Sequence, residues 1–187
     1  MKMRYFGDTY DVVKQSLLRW LAPLGDWGVH PMFTENVSHE NAEAFSAFLG
    51  ARLISTDVLT GDTNRPIYFR SAQDCRNHLF LDPDTGIIVN SNKNKSNKQS
   101  YIFLPELIDI VNNRPNLLTL VFDQSVPRGK ERQALQAKID VLKSNGIHGT
   151  AYVSHTNFIL ITCDNELIKK AGFTLRKESL LPEARFI

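Results

Sequence analysis

The chain has 187 residues, of which 42% are hydrophobic and 22% are charged, and these proportions are ordinary for one globular domain. The net charge of only +2 excludes a strong overall attraction to nucleic acid or to an anionic membrane. No apolar run approaches the roughly 20 residues that cross a bilayer, so we expect no membrane partner. Composition does not determine the oligomeric state.

The two cysteines, Cys75 and Cys163, are far apart and lack the close spacing of a redox or metal-binding pair. They are typical of reduced thiols. Residues 1–10 also lack the apolar stretch of a signal peptide. These features together predict a cytoplasmic protein.

Two amphipathic helices are predicted in the first 50 residues. Asp8 is a candidate N-cap for a helix over residues 9–22, in which apolar side chains recur at helical spacing. A second short helix is predicted to end at Gly50. Residues 27–33 have strand character, and Pro31 makes this segment an edge strand or the end of a strand because proline cannot donate to a ladder.

The middle of the chain contains short apolar segments between turn-rich ones. Residues 53–55 and 67–69 are predicted to be short strands, and residues 56–66 a surface loop. Residues 79–81 are three consecutive apolar residues and predict a buried strand.

Two further helices and one strand are predicted next along the chain. Pro105 and Glu106 suit the first turn of a helix, where proline loses no hydrogen bond and an acid meets the positive end of the dipole. Residues 117–122 predict a second buried strand. Residues 131–145 predict a helix that ends at Gly146.

A hairpin is predicted near the end of the chain. Residues 148–154 and 158–163 are strand-like and flank a polar turn. A last helix is expected over residues 165–171, ended by Gly172, and the tail from 173 to 187 is expected to contain one more strand.

The alternation of strands and helices predicts the fold class. Crossover connections imply a three-layer α/β domain over residues 1–187, with a mainly parallel sheet, helices on both faces and a C-terminal β-hairpin. No internal repeat is present.

Two carboxylates mark the candidate functional site. Asp82 and Asp84 come directly after the predicted strand, and Pro83 and Gly86 turn the chain there. Ligands of open α/β sheets bind just beyond the carboxyl ends of the strands. Because two such close carboxylates repel each other, we expect a bound cation, a paired cation or a raised pKa.

Magnesium is the cofactor that this pattern suggests. Asp82, Asp84 and Asp123 could meet at neighbouring strand ends, and Mg²⁺ needs only one or two carboxylates besides water and substrate phosphates. Asp82 and Asp84 are therefore the candidate catalytic residues for metal-dependent hydrolysis of a phosphate ester, with nucleic acid as one possible substrate. The simpler alternative is that both aspartates only form a turn.

Residues 90–100 contain no apolar side chain and three lysines, so they are expected to form a mobile basic loop. A basic loop beside an acidic pocket suggests a lid that closes on an anionic ligand. Lys93, Lys95, Lys98 and Arg128 are the candidate substrate-binding residues, since each could neutralise a phosphate. A solvated loop without a function is the alternative.

Three segments resemble a family of uncharacterised bacterial proteins in which a strand ends in Asp-Pro-Asp-(Asn/Thr)-Gly. They are residues 5–8 with Asp11, residues 30–34, and residues 81–86. The resemblance covers most of the chain but implies no established activity.

Two broader families share parts of the pattern. The order of elements from residue 79 onward resembles the second half of a class I methyltransferase, in which Asp-Pro ends a strand as Asp82 and Pro83 do here. The sequence has no glycine-rich turn that could bind the methyl-donor cofactor, so the resemblance favours a methyltransferase-like protein that lacks the methyl-transfer activity. Asp82 and Asp84, followed by Ser125 and Asp164, also resemble the motif order of haloacid-dehalogenase-type phosphatases.

A non-enzymatic binding module is the competing class of function. In that case the strand ends would hold a ligand or a partner, and residues 90–100 would be the contact loop. Phosphate contacts made by such a loop would weaken steeply with ionic strength, which would separate this class from a metal-dependent enzyme.

Overall fold

The computed structural model describes residues 2–89 and 97–187, and within them the chain forms seven α-helices and eight β-strands. The strands are β1 (Trp27–His30), β2 (Arg52–Leu53), β3 (His78–Leu81), β4 (Gly86–Ile88), β5 (Tyr101–Phe103), β6 (Thr119–Phe122), β7 (His148–Tyr152) and β8 (Phe158–Thr162). The helices are α1 (Thr9–Leu21), α2 (His39–Leu49), α3 (Arg65–Tyr68), α4 (Arg70–Gln73), α5 (Leu104–Asn112), α6 (Glu131–Ser144) and α7 (Asn165–Ser179).

Six strands form one central sheet in the order β2-β1-β3-β6-β8-β7. Strands β2, β1, β3 and β6 are parallel to one another, whereas β8 runs antiparallel to both of its neighbours, β6 and β7. The parallel strands β1, β3 and β6 therefore have their carboxyl ends at the same edge of the sheet. Strands β4 and β5 pair with each other in a separate two-stranded sheet.

Helices cover both faces of the central sheet. On one face, α1, α2 and α7 pack on inward side chains such as Phe80, Leu120 and Phe158. On the other face, α5 and α6 pack on the alternate residues of the same strands, such as Leu81 and Val121. Because successive strand residues point to opposite faces, the two cores are separated by the sheet itself. This architecture confirms the predicted three-layer α/β class with a mostly parallel sheet.

Several predicted elements are confirmed. Asp8 caps α1 by accepting from the backbone amides of Tyr10 and Asp11. Helix α2 ends at Gly50, which has the left-handed φ of 66°. The C-terminal hairpin pairs β7 with β8 as expected. No helix in the described part of the chain is long and apolar enough to cross a membrane.

The predicted strand at residues 67–69 is wrong. Residues Arg65–Tyr68 form helix α3, because Asn64 accepts from the amide of Ile67 and Pro66 lies in the first turn, where its missing N–H is not needed. The N-cap and the proline together outweigh the preference of the aromatic residues in this segment for a strand.

The predicted end of the last helix is also wrong. Helix α7 continues through Gly172 to Ser179, so residues 173–179 of the tail are helical. Gly172 is buried in the helix interior, and the packing of Ala171 and Leu175 on the core outweighs the low helix propensity of glycine.

The structure also contains a pairing that the sequence did not indicate. Strands β4 and β5 are only three residues each, and the pairing joins residues on either side of the segment 90–96.

Strand β1 lies between β2 and β3 instead of at an edge of the sheet. Pro31 follows the last residue of β1, so of the two alternatives for this segment the strand end is the correct one.

Candidate functional site at the carboxyl edge of the sheet

Asp82 follows β3 directly, and its side chain points to the face covered by α1. The carboxylate is only 1% exposed, and its Oδ2 lies 2.9 Å from Nζ of Lys14 on α1. The same ammonium donates to Oδ1 of Asp11 at 2.8 Å. One buried lysine therefore joins two carboxylates from different parts of the chain.

Asp11, Lys14 and Asp82 form a triad whose charges set its protonation. Burial raises the pKa of Asp82 although the Lys14 ammonium opposes the shift. Burial also tends to lower the pKa of Lys14, but the attraction of Asp82 and Asp11 outweighs it, and the net shift is upward. The triad carries one positive and two negative charges, so an added proton goes to a carboxylate while Lys14 stays charged.

A pocket of about 380 Å³ opens beside the triad. Four carboxylates and two lysines border it: Lys2, Asp8, Asp11, Lys14, Asp82 and Asp84. Lys2 lies 3.9 Å from Asp84, which makes a loose ion pair at the rim. We call this space the carboxylate pocket. Its formal charge is two units negative, in a protein whose overall charge is slightly positive.

Three aromatic rings and Pro83 complete the lining of the carboxylate pocket. Tyr5, Tyr10 and Phe122 line it. The rings of Tyr10 and Phe122 meet edge to face with centroids 6.1 Å apart, and Tyr10 also contacts the ring of His155 at 5.8 Å. Nζ of Lys14 lies 4.9 Å from the centre of the Phe122 ring. Aromatic walls and a few convergent polar groups are common features of small-molecule sites.

A second buried ion pair lies on the opposite face of the sheet. Asp123 follows β6 and is fully buried, and it pairs with Lys138 of α6. Its Oδ1 accepts from Oγ of Ser125 at 2.6 Å and from the backbone amide of Ile87 at 3.2 Å. This cluster ties β4 to the end of β6. Each of the two strand-end aspartates is thus neutralised by a lysine from the helix that covers its own face.

The structure does not bring the three predicted metal ligands together. Asp82 and Asp84 border the carboxylate pocket, whereas Asp123 points to the α6 face and does not line it. Within residues 2–89 and 97–187, no group of three or more His, Cys, Asp or Glu side chains is arranged to hold a metal ion. A cation in the pocket would have Asp82 and Asp84 as its candidate ligands, without Asp123.

The predicted substrate-binding residues are dispersed. Lys98 and Arg128 are exposed, and neither lines the carboxylate pocket. Lys93 and Lys95 lie outside the described residues, as does most of the predicted 90–100 loop. Arg65 contacts the described end of that segment, because it donates to the carbonyl of Lys98 at 3.5 Å. It also donates to the carbonyl of Tyr101 and forms a bidentate pair with Glu106.

The two strand histidines differ in their surroundings. His78 has both ring nitrogens bonded, to the carbonyl of Leu24 and to the amide of Leu118, each at 3.1 Å. His30 is completely buried, and neither ring nitrogen makes a hydrogen bond with a residue of the described chain. Burial lowers the pKa of His30 to about 4, so this side chain is neutral at physiological pH.

Sequence reasoning missed Lys14 and Lys138, although a signal was present. Lys14 lies three and four residues before Leu17 and Leu18, on the apolar stripe of α1. Lys138 likewise lies between Leu135 and Leu142 on the stripe of α6. A lysine in the middle of an apolar stripe indicates a buried cation, and a buried cation requires a carboxylate partner.

Comparison of the chain with known protein families, with curated proteins and with solved structures finds no match.

Proposed function

We propose that the protein binds a planar organic cation, or a planar ring that carries an amino group, in the carboxylate pocket. The observation that carries this proposal is the excess of carboxylates over ammonium groups inside an aromatic-walled pocket. A positively charged ligand would neutralise this excess, and a flat one would lie against the rings.

Asp82 is the least exposed of the carboxylates that border the pocket. Its Oδ2 is bound to Lys14, and its Oδ1 has no hydrogen-bond partner among the described residues. An amino or amidinium N–H of the ligand would pair with this oxygen. Hydrogen bonds to a charged group contribute about 1.5–3 kcal/mol, which is enough to select amino-bearing ligands.

The ring walls supply the second part of the recognition. The faces of Tyr and Phe rings carry partial negative charge and attract cations, by about 0.5–2 kcal/mol. Tyr10 and Phe122 are already held edge to face, so little side-chain entropy is lost when a ligand packs on them. An anionic ligand would find only Lys2 and Lys14, both of which face carboxylates.

The Asp82→Asn variant tests this proposal. We expect benzamidine, a planar cation, and adenosine, a neutral ring with an amino group, to bind wild type in isothermal titration. The variant should lose about tenfold or more in benzamidine affinity, because a charged acceptor is replaced by a neutral one.

Asp109→Asn is the matched control, since it removes the same charge from an exposed position on α5 outside the pocket. It should bind benzamidine as wild type does. The proposal would be contradicted by equal affinities for benzamidine in wild type and Asp82→Asn. It would also be contradicted if wild type bound neither benzamidine nor adenosine.

Metal-dependent hydrolysis of a phosphate ester is the second candidate function. The observation that favours it is that Asp82 and Asp84 border one pocket together with the ammonium of Lys14. Mg²⁺ commonly uses one or two carboxylates and completes its shell with water and substrate oxygens. In this case the metal would bring the phosphate into a negative pocket that otherwise repels it, and Lys14 would stabilise charge on the phosphate.

Titration of Mg²⁺ and Mn²⁺ separates the two candidates. Under the second one, wild type should bind the metal alone or with bis(p-nitrophenyl) phosphate, and should release p-nitrophenol only when metal is present. The Asp82→Asn/Asp84→Asn variant should lose both properties. Absence of metal binding and of turnover at about 10 mM metal, with the phosphate ester present, would eliminate this candidate.

A further inference from the structure

A second cavity, of about 420 Å³, lies at the opposite edge of the sheet, where β1 and β2 begin. It lies between the ends of α1 and α2, and we call it the amino-edge cleft. Its apolar lining includes Leu18, Trp27, Phe48 and Leu49. The carboxyl edge, which holds the carboxylate pocket, is on the other side of the molecule, so the two cavities are separate sites.

Two arginines border the amino-edge cleft without a fixed partner. Arg19 and Arg52 are both exposed, and neither makes an ion pair or a side-chain hydrogen bond with any residue of the described chain. Asp26 is the one carboxylate in the lining, so cations exceed anions. Arg19 lies in the last turn of α1, where a cation also complements the helix dipole, but Arg52 begins β2 and has no such role.

Trp27 adds an unused hydrogen-bond donor to the same lining. The side chain is 5% exposed, and its indole Nε1–H is buried without any partner among the described residues. A buried donor without an acceptor is costly and rare in folded proteins. The ring itself is fixed against His78, with centroids 5.2 Å apart.

We propose that the amino-edge cleft binds an organic anion, with a phosphate or carboxylate group held by Arg19 and Arg52 and an apolar body seated against Trp27. Guanidinium groups recognise both of these oxyanions through paired N–H donors. The cleft volume is in the range of small-ligand sites.

Nuclear magnetic resonance of the tryptophan side chains tests this inference directly. The chain has two tryptophans, Trp20 and Trp27, so the indole N–H region contains two signals. Trp20 does not line the cleft. On addition of phenyl phosphate or benzoate, we expect the Trp27 signal to move with saturation and the Trp20 signal to stay in place. The Trp20→Phe variant assigns the two signals.

The Arg19→Gln/Arg52→Gln variant should weaken phenyl phosphate binding about tenfold or more, because two charge-assisted contacts are lost. The Arg70→Gln/Arg185→Gln variant, with the same charge change at exposed positions outside the cleft, is the control and should bind normally. A Trp27 signal that does not move, that moves equally with benzamidine, or that saturates alike in both double variants would overturn the inference. The choice between phenyl phosphate and benzoate identifies the preferred oxyanion.

Discussion

We expect the Gly86→Ala variant to lose about 4 kcal/mol of unfolding free energy. A Cβ at residue 86 would lie 2.1 Å from Oδ1 of Asp123 and 2.9 Å from its Cα, so the backbone of one segment would have to move. Gly86 also has a φ of 135°, which residues with a side chain rarely adopt. Overpacking and backbone strain each cost about 1–3 kcal/mol. Denaturant unfolding followed by circular dichroism measures the loss.

Gly129→Ala is the matched control for this prediction. Gly129 has a φ of 79°, but a Cβ there would have no neighbour within 4 Å, so only the backbone cost of about 1–2 kcal/mol applies. Equal losses in the two variants would mean that the contact of Gly86 with Asp123 does not limit stability.

The Lys14→Met variant is expected to lose about 3–5 kcal/mol of unfolding free energy at pH 7, because it leaves buried carboxylates without their cation. Methionine keeps most of the length of the side chain, so the charge is the main change. The measurement is again denaturant unfolding, at pH 7 and at lower pH.

The loss in Lys14→Met should shrink as the pH falls. Without Lys14, the pKa of Asp82 is raised further in the folded state, whereas in the unfolded state it is near 4. Between these values the folded variant binds more protons than the unfolded one, so its unfolding free energy rises as the pH is lowered. A loss that is independent of pH would show that packing, not charge, is responsible.

Adding Asp82→Asn to Lys14→Met provides an internal check. The double variant removes one of the two uncompensated carboxylates and should recover part of the lost stability, about 1–2 kcal/mol. A double variant less stable than Lys14→Met would indicate that the amide cannot be accommodated where the carboxylate was.

The order and type of the long elements could be predicted from the sequence because their signals are local. The cap at Asp8, the stop at Gly50 and the spacing of Leu135, Ile139 and Leu142 each lie within a few residues of the element they define. The short strands β4 and β5 could not be predicted in this way, because they depend on pairing across a segment of 12 residues. The extent of helix α7 could not be predicted either, because it depends on the packing of Ala171 and Leu175 on the core.

The candidate site was predicted in part. The location of Asp82 and Asp84 at a strand end follows from the apolar run before them. Their partners could not be inferred, because Lys14 is 68 residues from Asp82 and comes from a different element. The proposed meeting of Asp82 with Asp123 failed because the two residues occupy opposite faces, and that depends on strand register, which the sequence does not specify by itself.

The margins of the central sheet have a consequence for self-association. Exposed strand edges are templates for pairing with another chain and so for aggregation. Here the outer strand β7 is covered by the last residues: Ile187 donates to the carbonyl of Ala151, Val153 donates to the carbonyl of Arg185, and Phe186 forms a bridge with Tyr152. The opposite outer strand, β2, has only two residues. Neither margin of the described sheet presents a long unpaired ladder, so the sheet is protected against growth by strand addition.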